Sequence, residues 1–457
     1  MKKHKQIRKR LAWINFVLFG AVLTVGGVLF FVLPKIQSSA VENRRLTPFP
    51  RFSMHSFFEG HYTDSLDQYV ADHFAFREAL VSTSFQLAEW RGIPNREVKF
   101  YDASQLAKNK PGAITTNATL PDSLAAADTA TVNENGDIIA NMVVHNGMAI
   151  QYFGGNATMA ARYAQAINKF RTVLPASVRI YDVVVPSHYD LYMPDEFRRS
   201  SNSEKKNIDI IYSNLNPGII AVDAWTPMMA HKNEYLFFRT DHHWTGAGAY
   251  YAYAATVERA GMQPLALGQM QTRVQKNWLG SLYALTRDER LKEKPDTAVC
   301  YMIPNSYKAW RYTDENITKP IPAALYHKGG GYGMYLGGDF PLMKVETSNR
   351  SGRSVVILKN SYGNAFAPYF AAHFDKVYII DYRYFNHSLP DFVKENGITD
   401  VVFINGSFSA NTSWHIMRIE KLLKGAPPQN NSDSLPGIDS ALIRKDSLLT
   451  DTLKRTP

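Results

Sequence analysis

The chain has 457 residues, 45% hydrophobic and 20% charged, with a formal net charge of +10 and one cysteine. That composition excludes a disordered polymer or a disulfide-stapled miniature, and leaves room for one large domain with additions or for two or three domains. The charge does not point to nucleic acid, because six basic residues, Lys2, Lys3, Lys5, Arg8, Lys9 and Arg10, crowd into the first ten positions beside an apolar run.

That run, Leu11 to Leu33, carries no charged residue. It is long enough to span a bilayer core, which takes about 20 apolar residues in a helix. The basic segment 1–10 predicts a cytoplasmic N-terminus, and the rest of the chain is then expected outside the cytoplasm, anchored by one transmembrane helix over 11–33. Ser38-Ser39-Ala40 resembles a cleavage site, but the apolar core is longer than that of a cleaved signal peptide.

Residues 41–102 read as a lead-in. A proline-marked extended stretch, Glu42 to Pro50, precedes a helical pattern from Phe57 to Trp90, in which Asp72 and Arg77 are placed for an ion pair. Residues 103–140 are rich in Ala, Thr, Asn and Asp and predict a flexible insert, and Ala426 to Pro457 predicts a disordered tail. Between them, 141–425 alternates strands with helices. Helices are expected at Asn156–Leu174, from a Ser203 cap to Leu215, and at Gly246–Ala260. Strands are expected at Val178–Val185, Ile219–Val222, Tyr235–Phe238, Ser354–Leu358, Val377–Ile380 and Val401–Ile404. The pattern predicts an α/β fold, a parallel sheet with helices on both faces. The glycine-rich block 262–350 has no legible elements.

Ligands bind at the carboxyl ends of such strands. Asp241 and His243 follow one strand, and two residues apart in extended backbone they share a face, with His242 pointing away. A carboxylate that orients an imidazole is two thirds of a hydrolase triad. The third member is expected at Ser361, after the strand Ser354–Leu358, with Gly363 permitting a tight turn. A plain helix cap is the alternative for such a serine. Oxyanion donors are sought in the Ser361 N–H, in Asn405 after the last strand, or in the Gly337-Gly338 turn. Arg383 suits an anionic substrate or a structural ion pair, and Trp244 a sugar platform or the core. Ser281 after Gly280 is a second candidate nucleophile, and Ser187-His188 reads as a plain turn. Asp241-His242-His243 offers metal ligands, but no further ligand stands at a metal-site spacing, so no metal or other cofactor is expected. Lys328-Gly-Gly-Gly-Tyr-Gly lacks the Gly-Lys-Ser/Thr ending of a P-loop.

The strings Glu42-Asn-Arg, Asp72-His-Phe-Ala-Phe-Arg, Thr240-Asp-His-His-Trp-Thr-Gly and Lys359-Asn-Ser-Tyr-Gly-Asn resemble the DHHW family of exported bacterial proteins over about 41–424, outside the insert. That family is similar to the SGNH-hydrolase-like domains of alginate O-acetylation proteins, which carry an Asp-x-His pair ahead of the serine. The resemblance implies an SGNH-hydrolase-like, flavodoxin-like fold. It implies a Ser361–His243–Asp241 triad in an O-acetyltransferase or acetylesterase of cell-envelope polysaccharide, beside a membrane-bound O-acyltransferase. The alternative is a catalytically silent glycan-binding or scaffold partner of that acyltransferase. SGNH enzymes carry Gly-Asp-Ser at the nucleophile where this chain has Lys359-Asn360-Ser361, which bears on the oxyanion hole more than on the triad.

Overall fold

A computed structural model describes residues 2–425, without 36–37, 40–43, 46–47, 59–60, 75, 77–97, 104–105, 107–112, 115–130, 134–137, 196–202 and 315. The expected tail, most of the insert and the second half of the Phe57–Trp90 helix lie outside the described residues. What is described of that helix is two pieces, Met54–Phe58 and His61–His73.

The central sheet has eight strands: β1 (Arg179–Val185), β2 (Ile219–Val222), β3 (Tyr307–Tyr312), β4 (Pro320–Ala323), β5 (Leu342–Thr347), β6 (Ser354–Lys359), β7 (Lys376–Asp381) and β8 (Asp400–Gly406). Their order is β2-β1-β8-β6-β7-β5-β3-β4. The five strands from β2 to β7 are parallel, and β5, β3 and β4 continue antiparallel. The sheet is therefore mixed and mostly parallel, which corrects the all-parallel expectation. The antiparallel part comes from the block that resisted reading. β3 carries Lys308 and Arg311 and is largely half-exposed. β4 is Pro-Ile-Pro-Ala, which only an edge strand tolerates because proline has no N–H to donate.

Both faces of the parallel part are covered. Val355 and Ile357 of β6 pack with Trp244, Tyr253 and Phe366 on one face, while Val356 and Leu358 pack with Ile167, Phe170 and Phe403 on the other. Side chains alternate along a strand, so a strand buried on both sides must be apolar throughout. The helix Ala157–Val173, capped by Asn156, and the helix Glu204–Ser213, capped by Ser203, cover the second face. The helix Gly246–Arg259 covers the first.

Smaller sheets stand outside this core, and two of them concern the site. A hairpin pairs Gln271–Trp278 with Asp296–Met302, and a three-stranded sheet joins Val98–Tyr101, Met142–His145 and Met148–Gln151. The described ends of the expected insert are fixed in place: Ala103, Leu106 and Ile139 are buried against Leu282, Tyr283 and Leu291.

The N-terminal helix Lys2–Val32 includes Trp13–Val32, 20 residues of mean hydropathy 2.2 with none of it buried. It is an apolar helix of the kind that serves as a signal sequence or a single membrane anchor.

One buried carboxyl makes stability depend on pH. Asp182 on β1 is fully buried, accepts the Tyr163 hydroxyl at 2.8 Å through Oδ1, and has no partner at Oδ2. Burial pushes its pKa up to about 7. A folded-state pKa above the unfolded one means stability is full below the unfolded value near 4 and is lost as pH rises through about 7. Asp182→Asn keeps the acceptor and removes the ionisation. Relative to wild type, it should gain about 3 kcal/mol of stability between pH 5 and pH 8, at 1.36 kcal/mol per pKa unit. Urea unfolding of both proteins at the two pH values checks this.

Candidate active site

Asp241, His242 and His243 do not sit on a strand of the sheet. Tyr235–Phe238 runs to a turn, closed by a single bridge between Phe237 and Trp244. Around that turn the His243 N–H donates to Asp241 Oδ1 at 2.9 Å, so the carboxylate folds back onto its own loop. The same Oδ1 accepts from His243 Nδ1 at 2.6 Å, and His243 Nε2 stands 2.9 Å from Ser361 Oγ. With Nδ1–H donating to Asp241, Nε2 is left to accept the serine proton; the partners assign this tautomer. The relay joins residues 118 positions apart.

Each member is locked. Asp241 is 1% exposed, and its Oδ2 accepts the Ser281 N–H at 2.7 Å. Burial raises its pKa, but the His243 and His242 imidazoles and the Ser281 N–H outweigh burial and hold the carboxyl well below its usual range. The segment before it is stapled by Asp296, a fully buried carboxylate that accepts the N–H of Arg239 at 2.7 Å and of Thr240 at 2.9 Å. Gly280 lies against Asp241 so closely that a Cβ there would stand 2.3 Å from the Asp241 Cβ. Tyr332 stacks on the His243 ring, centroids 3.8 Å apart and planes 10° apart, and its hydroxyl donates to the carbonyls of Ser361 and Tyr362 at 2.9 and 2.8 Å.

Ser361 stands one residue beyond β6, after Asn360. Its turn is closed by Gly363 N–H to the Asn360 carbonyl at 3.0 Å and Asn364 N–H to the Ser361 carbonyl at 3.1 Å. A Cβ on Gly363 would meet Lys359 Cβ at 2.3 Å, so the turn can be this tight only with glycine there. Behind it is a buried charge cluster. Lys359 Nζ pairs with Asp339 at 2.9 Å and Asp381 at 2.8 Å, and Arg383 pairs with both carboxylates at 2.7 Å. Asn360 donates to Ser409 Oγ at 2.7 Å and accepts the Tyr362 N–H at 3.1 Å.

A cleft of about 40 Å³ opens over the hydroxyl, room for about three water molecules. Ser361, Asn360, Tyr362, His242, Arg383, Gly406–Ser409, Ile138 and Gln151 line it. Glu204 fixes one wall, accepting the Ser407 hydroxyl and the N–H groups of Ser187 at 2.9 Å and Asp190 at 3.1 Å. Burial, with the Asp190 carboxylate second, raises Glu204 to about 7.

Several sequence expectations need correction here. His242 does not face away: its ring lies 3.8 Å from the His243 ring, lines the same cleft, and bonds Ser281 Oγ at 2.7 Å through Nδ1. The alternation argument fails because the backbone turns at this point. Ser281, read as a second nucleophile, instead supplies the N–H under Asp241 and the partner of His242. Trp244 is fully buried and donates to the Tyr362 carbonyl at 2.9 Å, so it meets no substrate. Asn405 is fully buried, its amide nitrogen donating to Tyr163 at 3.0 Å and its oxygen accepting from Tyr382 at 2.7 Å, and it is not among the residues that line the cleft. Gly337 and Gly338 have positive φ, Gly337 lies against His327, and neither is among the residues that line the cleft. Arg383 combines its two readings, an ion pair with one edge on the cleft. Ser187 caps the short helix His188–Tyr192. One ligand atom from each of Asp241, His242 and His243 lies within 4.8 Å of the others, so the three suit a metal by distance, although both Nδ1 atoms are engaged in the bonds above. Tyr332, Tyr362 and Gly280 went unrecognised in the sequence; Tyr362 beside the serine was the only one with a positional signal.

A family profile described as DHHW protein matches residues 95–380. A crystal structure of a DHHW family protein from Eubacterium siraeum is 34% identical and covers 67% of this chain and 100% of its own, with a TM-score of 0.58. Bacillus cereus PatB1 with a sulfonyl adduct is 15% identical, covering 62% of this chain and 99% of its own, at a TM-score of 0.50. The O-acetyltransferase domain of Pseudomonas putida AlgJ is 14% identical, covering 62% and 95%, at 0.35. A search of curated protein sequences returned no match.

Proposed function

The chain belongs to the DHHW family, and on that footing we propose that it is an SGNH-like acyl-transfer enzyme, an O-acetyltransferase or acetylesterase of cell-envelope polysaccharide, held at the membrane by its N-terminal helix with the main domain outside the cytoplasm. The observation that carries the reading is the unbroken Asp241–His243–Ser361 relay beside a cleft the size of a small acyl group.

In the first half-reaction Ser361 Oγ attacks the acetyl carbonyl while His243 Nε2 takes the hydroxyl proton. Asp241 holds Nδ1–H and stabilises the imidazolium. The carbonyl oxygen becomes an oxyanion, for which the Ser361 N–H at the start of its turn is the candidate donor, since the first N–H groups of a helical turn have no partner within it. Collapse returns the proton from Nε2 to the departing oxygen and leaves acetyl-Ser361. A sugar hydroxyl, or water, then attacks this ester with His243 again as base. A sugar hydroxyl gives transfer and water gives hydrolysis. A membrane-bound O-acyltransferase is the proposed source of the acyl group.

The test is covalent capture. PatB1 carries a sulfonyl adduct in its structure, so an aryl sulfonyl fluoride is the reagent to use. It should label the wild-type chain once, at Ser361, and leave Ser361→Ala unlabelled on intact-protein mass spectrometry. Failure to label a folded wild-type chain would favour the scaffold role.

A further inference from the structure

The exposed apolar side chains of this protein are not scattered. Beyond residue 76 only Phe100, Val173, Val274, Ile321 and Met417 are large, apolar and exposed among the described residues. Before it, outside the apolar N-terminal helix, Phe49, Phe52, Phe57, Phe58, Phe74 and Phe76 are exposed within 28 positions, Phe58 at 78% and Phe76 at 63%. Soluble surfaces rarely concentrate aromatic side chains in this way without an occupant.

The position of this face identifies the occupant. The helix His61–His73 packs along the end of the N-terminal helix: Tyr69 meets Phe30 edge-on at 6.2 Å, Lys35 Nζ reaches the His73 carbonyl at 3.4 Å, and Phe74 lies 3.4 Å from where a Gly26 Cβ would stand. Gly26 is six residues before Val32, where the helix ends, which is about 9 Å along its axis at 1.5 Å per residue. Interfacial helices bury about 5–10 Å into the headgroup and acyl boundary. If Trp13–Val32 spans the bilayer, Phe74 lies below the membrane surface and Tyr69, beside Phe30, lies at the level where aromatic belts form. Phe49 meets Tyr69 edge-on at 5.2 Å, and Phe52 meets Tyr62 of the same helix at 5.2 Å, so the ring cluster continues from that contact.

We propose that Phe49, Phe52, Phe57, Phe58, Phe74 and Phe76 form a lipid-facing platform that rests in the outer leaflet and holds the catalytic unit against the membrane surface. The inference rests on the reading that Trp13–Val32 remains as an anchor. The ligand is the acyl and headgroup boundary of a bilayer, recognised by apolar contact.

The test uses the full-length chain in phosphatidylcholine–phosphatidylglycerol vesicles, with an environment-sensitive fluorophore on Phe58→Cys or Phe52→Cys. Labels on Val28→Cys in the anchor and Val274→Cys on the hairpin serve as references, and Cys300 is buried. Labels at 58 and 52 should lose emission to a nitroxide on the upper acyl chain and resist iodide, and the label at 274 should do the reverse. Iodide quenching at 58 and 52 would overturn the platform. So would resistance to both quenchers, which would mean that a protein covers the face. The label at 28 decides the anchor separately: lipid quenching there with iodide quenching at 58 and 52 leaves the anchor and removes the platform.

Discussion

Ser361→Ala is expected to lower turnover of a model acetyl ester by about 10⁶-fold, and His243→Ala by nearly as much, because without the base the hydroxyl keeps its proton. Asp241→Asn should cost on the order of 10⁴-fold by disturbing the ring's tautomer. The three losses should not add, since the residues act as one device. His242→Ala is the discriminating variant. Its ring lies against His243 and on the cleft but bonds Ser281, outside the relay. A loss of about tenfold, or about 1.4 kcal/mol, is expected. Steady-state kinetics on the four variants, with and without a chelator, measure this. If His242→Ala falls as far as His243→Ala and the chelator abolishes activity, the cluster binds a metal and the serine relay is not the catalyst.

Gly280→Ala should lower turnover by about 100-fold without touching substrate. The new methyl would sit 2.3 Å from Asp241 Cβ and 2.6 Å from its Oδ2. Neither contact is tolerable, so the carboxylate must move, and a displacement of about 1 Å in catalytic geometry costs on the order of 10² in rate. A stability loss of about 1–3 kcal/mol from overpacking should accompany it. Ser281→Ala is the control: it keeps the N–H under Asp241 and loses only the hydroxyl that His242 holds, so activity should stay within a few-fold of its own His242→Ala counterpart. Equal kinetics for Gly280→Ala and wild type would show that the acid has freedom to shift, contrary to its buried, doubly held position.

The parallel strands and their helices were legible because burial on both faces forces continuous apolar runs such as Val355-Val-Ile-Leu, and because Asn156 and Ser203 mark helix starts in a way that survives any tertiary setting. The half-exposed antiparallel strands left no such run. Ser361, His243 and Asp241 were singled out by position along the chain and by the family strings, and the structure brings each within hydrogen-bond distance of the next in the order Asp241–His243–Ser361. The orientation of His242 was missed because a turn, set by the Asp241 carboxylate capping its own loop, replaced the extended backbone that alternation assumes. Asn405 illustrates the opposite failure: its place at a strand end was right, but the buried tyrosines that bond its amide are 242 and 23 positions away in sequence.

The stacking of Tyr332 on His243, with its hydroxyl tied to the chain at Ser361 and Tyr362, has a bearing on how the relay is assembled from the chain. Acid and base come from 241–243, the acid's N–H support from 281, the aromatic brace from 332 and the hydroxyl from 361. No contiguous fragment shorter than this span contains a working relay. The serine is the last of these groups in chain order, and the antiparallel strands β3, β4 and β5 lie between it and its base in sequence. A chain in which these segments have not yet come together therefore lacks the Asp241–His243–Ser361 relay.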